Sequence, residues 1–132
     1  MRKYLIIAAI LGALSVVIGA FGAHALKPLL SVYQMEIFHT GVLYQFIHAI
    51  VLLQIAFKLL SNPNQHLKMT FYAFVFGIIF FSFSLYILAC IDILQLNNYK
   101  KIIGPLTPIG GVFFIAGWIY LIFYGIHYKK SN

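Results

Sequence analysis

Four apolar runs, at about residues 4–26, 38–60, 69–94 and 107–127, leave this chain few ways to fold. Each exceeds the roughly 20 residues that carry a helix across the ~30 Å hydrocarbon core of a bilayer. Backbone in hydrocarbon must satisfy its own polar groups, so runs of this kind cross as helices. Of the 132 residues, 63% are hydrophobic and 8% charged, whereas soluble domains carry about 25% charged residues. Too few polar side chains exist to coat a water-facing surface. The expected fold is all-α: one integral membrane four-helix bundle, residues 1–132 forming a single domain whose solvent is mostly lipid.

A net charge of +7 raises the question of nucleic acid, and the placement of the charges answers it. A nucleic-acid footprint clusters on one face; here the basic residues bracket the apolar runs. Arg2, Lys3, Lys58, Lys68, Lys129 and Lys130 fall on one side of a four-span bundle, and Lys27, Lys100 and Lys101 on the other. The excess predicts both termini in the cytoplasm. The single cysteine, Cys90, excludes an internal disulfide and a paired-cysteine metal motif.

Arg2-Lys3, an apolar run and Ala23-His24-Ala25 imitate a secretory signal. The run is longer than the usual ~7–15 residues, so a retained helix is expected. Within it Ala8, Gly12, Ser15, Gly19 and Gly22 share an arc of about 80°, a stripe that lets a neighbouring backbone approach closely. Residues 27–37 are read either as a short interfacial helix begun by Pro28 or as the first turns of a long second span. In that span Gly41, Gln45 and His48 lie within an arc of about 60°, with Tyr44 on its shoulder. Polar groups at mid-bilayer need partners, so this face should point into the bundle. Trp118, at similar depth in the last span, needs an acceptor for its indole N–H and should pack toward it. Gly77 and Ser84 mark an inward seam on the third span, whose many phenylalanines suggest broad lipid exposure; Ser82 is expected to bond a carbonyl one turn back. Gly111 is taken as a packing residue of the fourth span. The prolines and glycines of residues 104–111 suggest a non-helical entry to it.

Three blocks together resemble a known family: Gly19-Ala20-Phe21-Gly22-Ala23-His24-Ala25-Leu26; Thr40, Tyr44-Gln45 and His48-Ala49; and Gly104-Pro105-Leu106-Thr107-Pro108-Ile109-Gly110-Gly111 with Gly117-Trp118. Phe83-Ser84-Leu85-Tyr86 is similar to a fourth pattern of the family. The resemblance is to domain of unknown function 423, whose animal members are called transmembrane protein 256, and it covers nearly the whole chain. It implies a small four-helix membrane protein, a bacterial inner-membrane location, and no particular activity.

Chemistry-bearing residues are few. His24, Glu36, His39 and Asp92 fall near one membrane surface, a candidate outer polar cluster, but their spacing matches no compact metal motif. His48 lacks a second histidine at its depth, which argues against haem between the helices. Ser82 and Ser84 have no acid–base partner, and the carboxylates lie at the rim, so catalysis is not expected. Neither cofactor nor metal is assigned. What remains is a structural or interaction component that binds lipid and associates with copies of itself or a larger membrane complex. The alternative is a transport or proton- or metal-ion-relay element using His48.

Overall fold

The structure, a computed structural model, describes residues 2–128; Lys129 and Lys130, counted above in the charge asymmetry, lie outside them. Its helices long and apolar enough to cross a membrane are α1 (Arg2–Leu26), α2 (Val32–Ser61), α3 (Gln65–Ala89) and the span that ends in α4 (Leu106–His127). Among the described residues there is no strand. Helices run up and down in sequence order. α2 and α3 form the central pair, α1 packs on α2, and α4 packs on α3.

Local chemistry explains where the helices start and stop. The Ser31 hydroxyl accepts from the Gln34 N–H while the Gln34 side chain accepts from the Ser31 N–H. This capping box starts α2 at Val32, so residues 32–37 are its first turns rather than a separate interfacial helix. Asn64 caps α3 in the same spirit, accepting from the N–H groups of His66 and Leu67. α3 ends at Ala89, five residues short of the expected 94, and the chain turns through Gln95 at φ 55°. The expected non-helical entry to the last span is also corrected. Lys100–Ile103 forms a helical turn, and Pro105 and Pro108 sit at the cap and third position of α4, where no intrahelical N–H is required.

Two of the helices contain π turns, Gly22–Leu26 closing α1 and Ile78–Ser82 inside α3. In the second, the Phe83 N–H reaches the Ile78 carbonyl. The Ser82 hydroxyl is buried with no hydrogen-bond partner, contrary to the carbonyl bond expected for it.

Small residues set the helix contacts. On α1 the stripe faces α2: Ala8 and Ser15 are buried, a side chain at Gly12 would meet Ala49, one at Gly19 would come within 3.2 Å of Val42, and Gly22 lies on the Phe38 ring. Between α3 and α4 the fit is reciprocal. Phe114 of α4 fills the notch at Gly77, and Phe74 of α3 fills the notch at Gly117. Gly110 lies against the backbone of Phe81. Gly111, the expected packing residue, has nothing within 4 Å of where its side chain would be; the adjacent Gly110 takes that role. Nor are the α3 phenylalanines uniformly lipid-facing, since Phe71 and Phe74 are fully buried in the core with Leu52, Leu59 and Leu67.

Candidate functional site

Gln45 is fully buried, and both ends of its amide are occupied. Its nitrogen donates to the Leu11 carbonyl of α1 at 2.9 Å, and its oxygen accepts from the Tyr86 hydroxyl of α3 at 2.7 Å. One side chain thus joins three helices. Tyr86 reaches it because Gly41, one turn before Gln45 on α2, has no side chain: a Cβ there would stand 2.7 Å from the tyrosine ring.

His48 lies a turn further along α2, nearly buried at 5% exposure. The Trp118 indole N–H donates to Nε2 at 3.3 Å, as the shared depth predicted. Because an indole nitrogen only donates, Nε2 must accept, and the ring proton belongs on Nδ1, which faces the Tyr44 carbonyl at 2.7 Å. Both imidazole nitrogens are therefore used by the neutral ring. Phe114 stacks on it at 3.8 Å between centroids, and Phe74 meets it edge-on at 5.0 Å. Tyr44 and Trp118 stand at the margin, 40% and 42% exposed.

The four residues Tyr44, Gln45, His48 and Trp118 thus form two knots rather than one. Gln45 ties α2 to α1 and α3, while His48 ties α2 to α4. A third knot links the hydroxyls of Ser84 and Thr107 at 2.7 Å, with Ser84 also bonded to the Phe81 carbonyl. Tyr86 and Thr107 were not singled out as site residues. Their one signal in the sequence was membership of the resemblance blocks, since a partner on another helix leaves no mark on local periodicity.

The expected cluster of His24, Glu36, His39 and Asp92 does not assemble. Asp92 accepts from the side-chain amides of Gln34, at 2.8 Å, and Asn97, at 3.0 Å. Glu36 and His39 line a separate cavity that does not include His24 or Asp92. Among the described residues no three histidine, cysteine or carboxylate side chains converge as a metal site would need. The early end of α3 accounts for Asp92, which it places in a turn beside the α2 cap. Three cavities, of about 450, 420 and 410 Å³, lie toward the end of the bundle opposite the termini, and neither Gln45 nor His48 lines any of them.

At the terminal end, Lys3 lies over the Tyr4 ring, Lys58 over the Tyr128 ring at 5.1 Å, and the rings of His66 and His127 stack at 5.7 Å. His66 is half-buried, with the His127 ring against it. Such a belt of amphipathic rings and bases is what an interfacial level holds.

Comparison with known proteins agrees with this architecture. The family model described as "Protein of unknown function (DUF423)" matches residues 18–111. The UPF0382 membrane protein SSP2132 of Staphylococcus saprophyticus is 38% identical over 122 residues, covering 92% of this chain and 95% of the relative. YwdK of Bacillus subtilis, also a UPF0382 membrane protein, is 37% identical over 130 residues, covering 97% of this chain and 99% of the relative. The UPF0382 inner membrane protein YgdD of Escherichia coli is 35% identical over 131 residues, covering 99% and 95%. No solved structure matches. With its four apolar helices and these relatives along nearly its whole length, the chain belongs to the DUF423 (UPF0382) family of membrane proteins.

Proposed function

We propose that this protein is a non-catalytic interaction component of the cell membrane, with both termini in the cytoplasm, associating with itself or a larger membrane complex through its lipid-facing helices. One observation carries the reading: each nitrogen and oxygen of the Gln45 amide and each nitrogen of the His48 ring already has a partner inside the chain. A relay histidine needs a nitrogen open to a water path, and a proton added at Nε2 would have to displace the Trp118 N–H. The polar stripe therefore orients helices, as interhelical hydrogen bonds in membranes do at ~0.6 kcal/mol each. Outward surface is abundant by contrast. On α1 Ile6, Ile10, Val16 and Val17 are exposed, and on α4 Val112, Ile115, Ile119 and Ile122. The name of the E. coli relative supports an inner-membrane location.

The test pairs two measurements. In native membranes, cross-linking from cysteines placed on the outer faces of α1 and α4 should trap a self-associated or hetero-complexed species. Purified protein in liposomes should move no protons or divalent metal ions above the level of empty vesicles. Flux that His48→Gln abolishes while the helices stay folded would overturn the reading in favour of a relay.

A further inference from the structure

At the end of the bundle opposite the termini, the closing turn of α1 leaves α-helical geometry, Gly22–Leu26 being π-helical. Turns of this kind widen a helix by one residue and recur at functional sites. Ala23 of that turn, with Lys27 just beyond it, walls a cavity of about 450 Å³ against the first turns of α2. Leu30 and Met35 give the cavity apolar lining, and Glu36 and His39 complete it. Among the described residues, Lys27 and Glu36 line this space without forming an ion pair. Asp92, the other carboxylate of the chain, behaves differently: two side-chain amides already hold it. The cavity lies where the apolar run of α1 ends, the depth at which a spanning helix meets lipid head groups.

A cation, an anion and an imidazole around an apolar lining select an amphiphile carrying both signs of charge. Lysine binds phosphate as a compact charge, and a carboxylate accepts from a primary ammonium. We propose that this cavity holds the head group of a phosphatidylethanolamine-type lipid: Lys27 donates to its phosphate, Glu36 accepts from its ammonium, and His39 donates to a phosphate or ester oxygen. A phosphatidylglycerol head group would engage Lys27 but offers Glu36 only neutral hydroxyls in place of an ammonium. A choline head group has no N–H to donate. The assignment does not depend on whether the lipid-facing helices self-associate.

The experiment is lipid retention, read by native mass spectrometry on full-length protein released from membranes of equal phosphatidylethanolamine and phosphatidylglycerol content. Wild type should retain the ethanolamine lipid in preference. Lys27→Ala should lower retention of both lipids about tenfold. Glu36→Gln should keep total retention and lose the preference. Both side chains are exposed, so these variants should fold, and far-UV circular dichroism checks that. Equal retention of the two lipids by wild type, or variants that behave like wild type, overturns the proposal. Soluble phosphoethanolamine should not displace the retained lipid; displacement would transfer the site to a water-soluble zwitterion and overturn the lipid assignment.

Discussion

The outer helices α1 and α4 are attached to the central α2–α3 pair by different means. α1 lies on α2 along a stripe of small residues: a side-chain carbon at Gly12 would meet Ala49 at ordinary van der Waals distance, one at Gly19 would crowd Val42, a single ring, Phe38, sits on Gly22, and one polar bond runs from Gln45 to a backbone carbonyl. α4 is held by rings set into notches, Phe114 at Gly77 and Phe74 at Gly117, with a side-chain bond from Trp118 to His48 at the margin. The first seam depends on backbone proximity and a fully enclosed hydrogen bond. The second depends on shape, and its polar contacts, Trp118 to His48 and Thr107 with Ser84, are only partly enclosed. In hydrocarbon, where water supplies no force between helices, both routes work because close packing does the holding.

The largest effect should come from filling the tightest point of the α4 seam. Gly110→Ala places a methyl against the Phe81 backbone, and overpacking of that kind should cost about 2–3 kcal/mol, read by steric trapping or by denaturation in detergent. On the α1 side, Gln45→Leu strips the partner from a buried Tyr86 hydroxyl and should cost about 2 kcal/mol. Adding Tyr86→Phe to that variant should recover part of the loss, and a double-mutant cycle without coupling would remove Gln45 as the tie between helices. Trp118→Phe keeps the ring and loses the bond to His48, so it should cost only about 0.6–1 kcal/mol. If it cost more than Gln45→Leu, the contrast between an enclosed and a marginal polar bond would fail. Smallest is Gly111→Ala, next to the most sensitive position yet facing open space; it should be neutral or stabilise by ~0.5 kcal/mol.

Much of the α1 seam was legible in the sequence because its signal is local. Ala8, Gly12, Ser15, Gly19 and Gly22 recur at helical spacing on one uninterrupted helix, and the structure turns that arc toward α2. The α4 seam was misread by one residue, Gly111 for Gly110. With prolines at 105 and 108, the sequence gives no clean starting phase for the last helix, and adjacent glycines differ by about 100° in direction. Mid-span depth was enough to pair Trp118 with His48. It could not reveal that Gln45 would turn away from both toward Tyr86, because that requires knowing which helices are neighbours. The π turn at Ile78–Ser82 left no compositional trace, and it alters the phase of everything after it in α3. The outer quartet failed for a plainer reason: hydropathy extended α3 through Asp92, whereas the helix stops before that residue.

Gln45 has a consequence for the order in which the bundle assembles. Chains are synthesised from the N-terminus, so the Leu11 carbonyl is already in the bilayer when α2 emerges, while the Tyr86 hydroxyl has yet to be made. The amide can therefore dock on the older helix through its nitrogen and keep its oxygen vacant for the newer one. Its nitrogen thus bonds a helix made before α2 and its oxygen a helix made after it, so one side chain carries the register of the first hairpin over to the third helix.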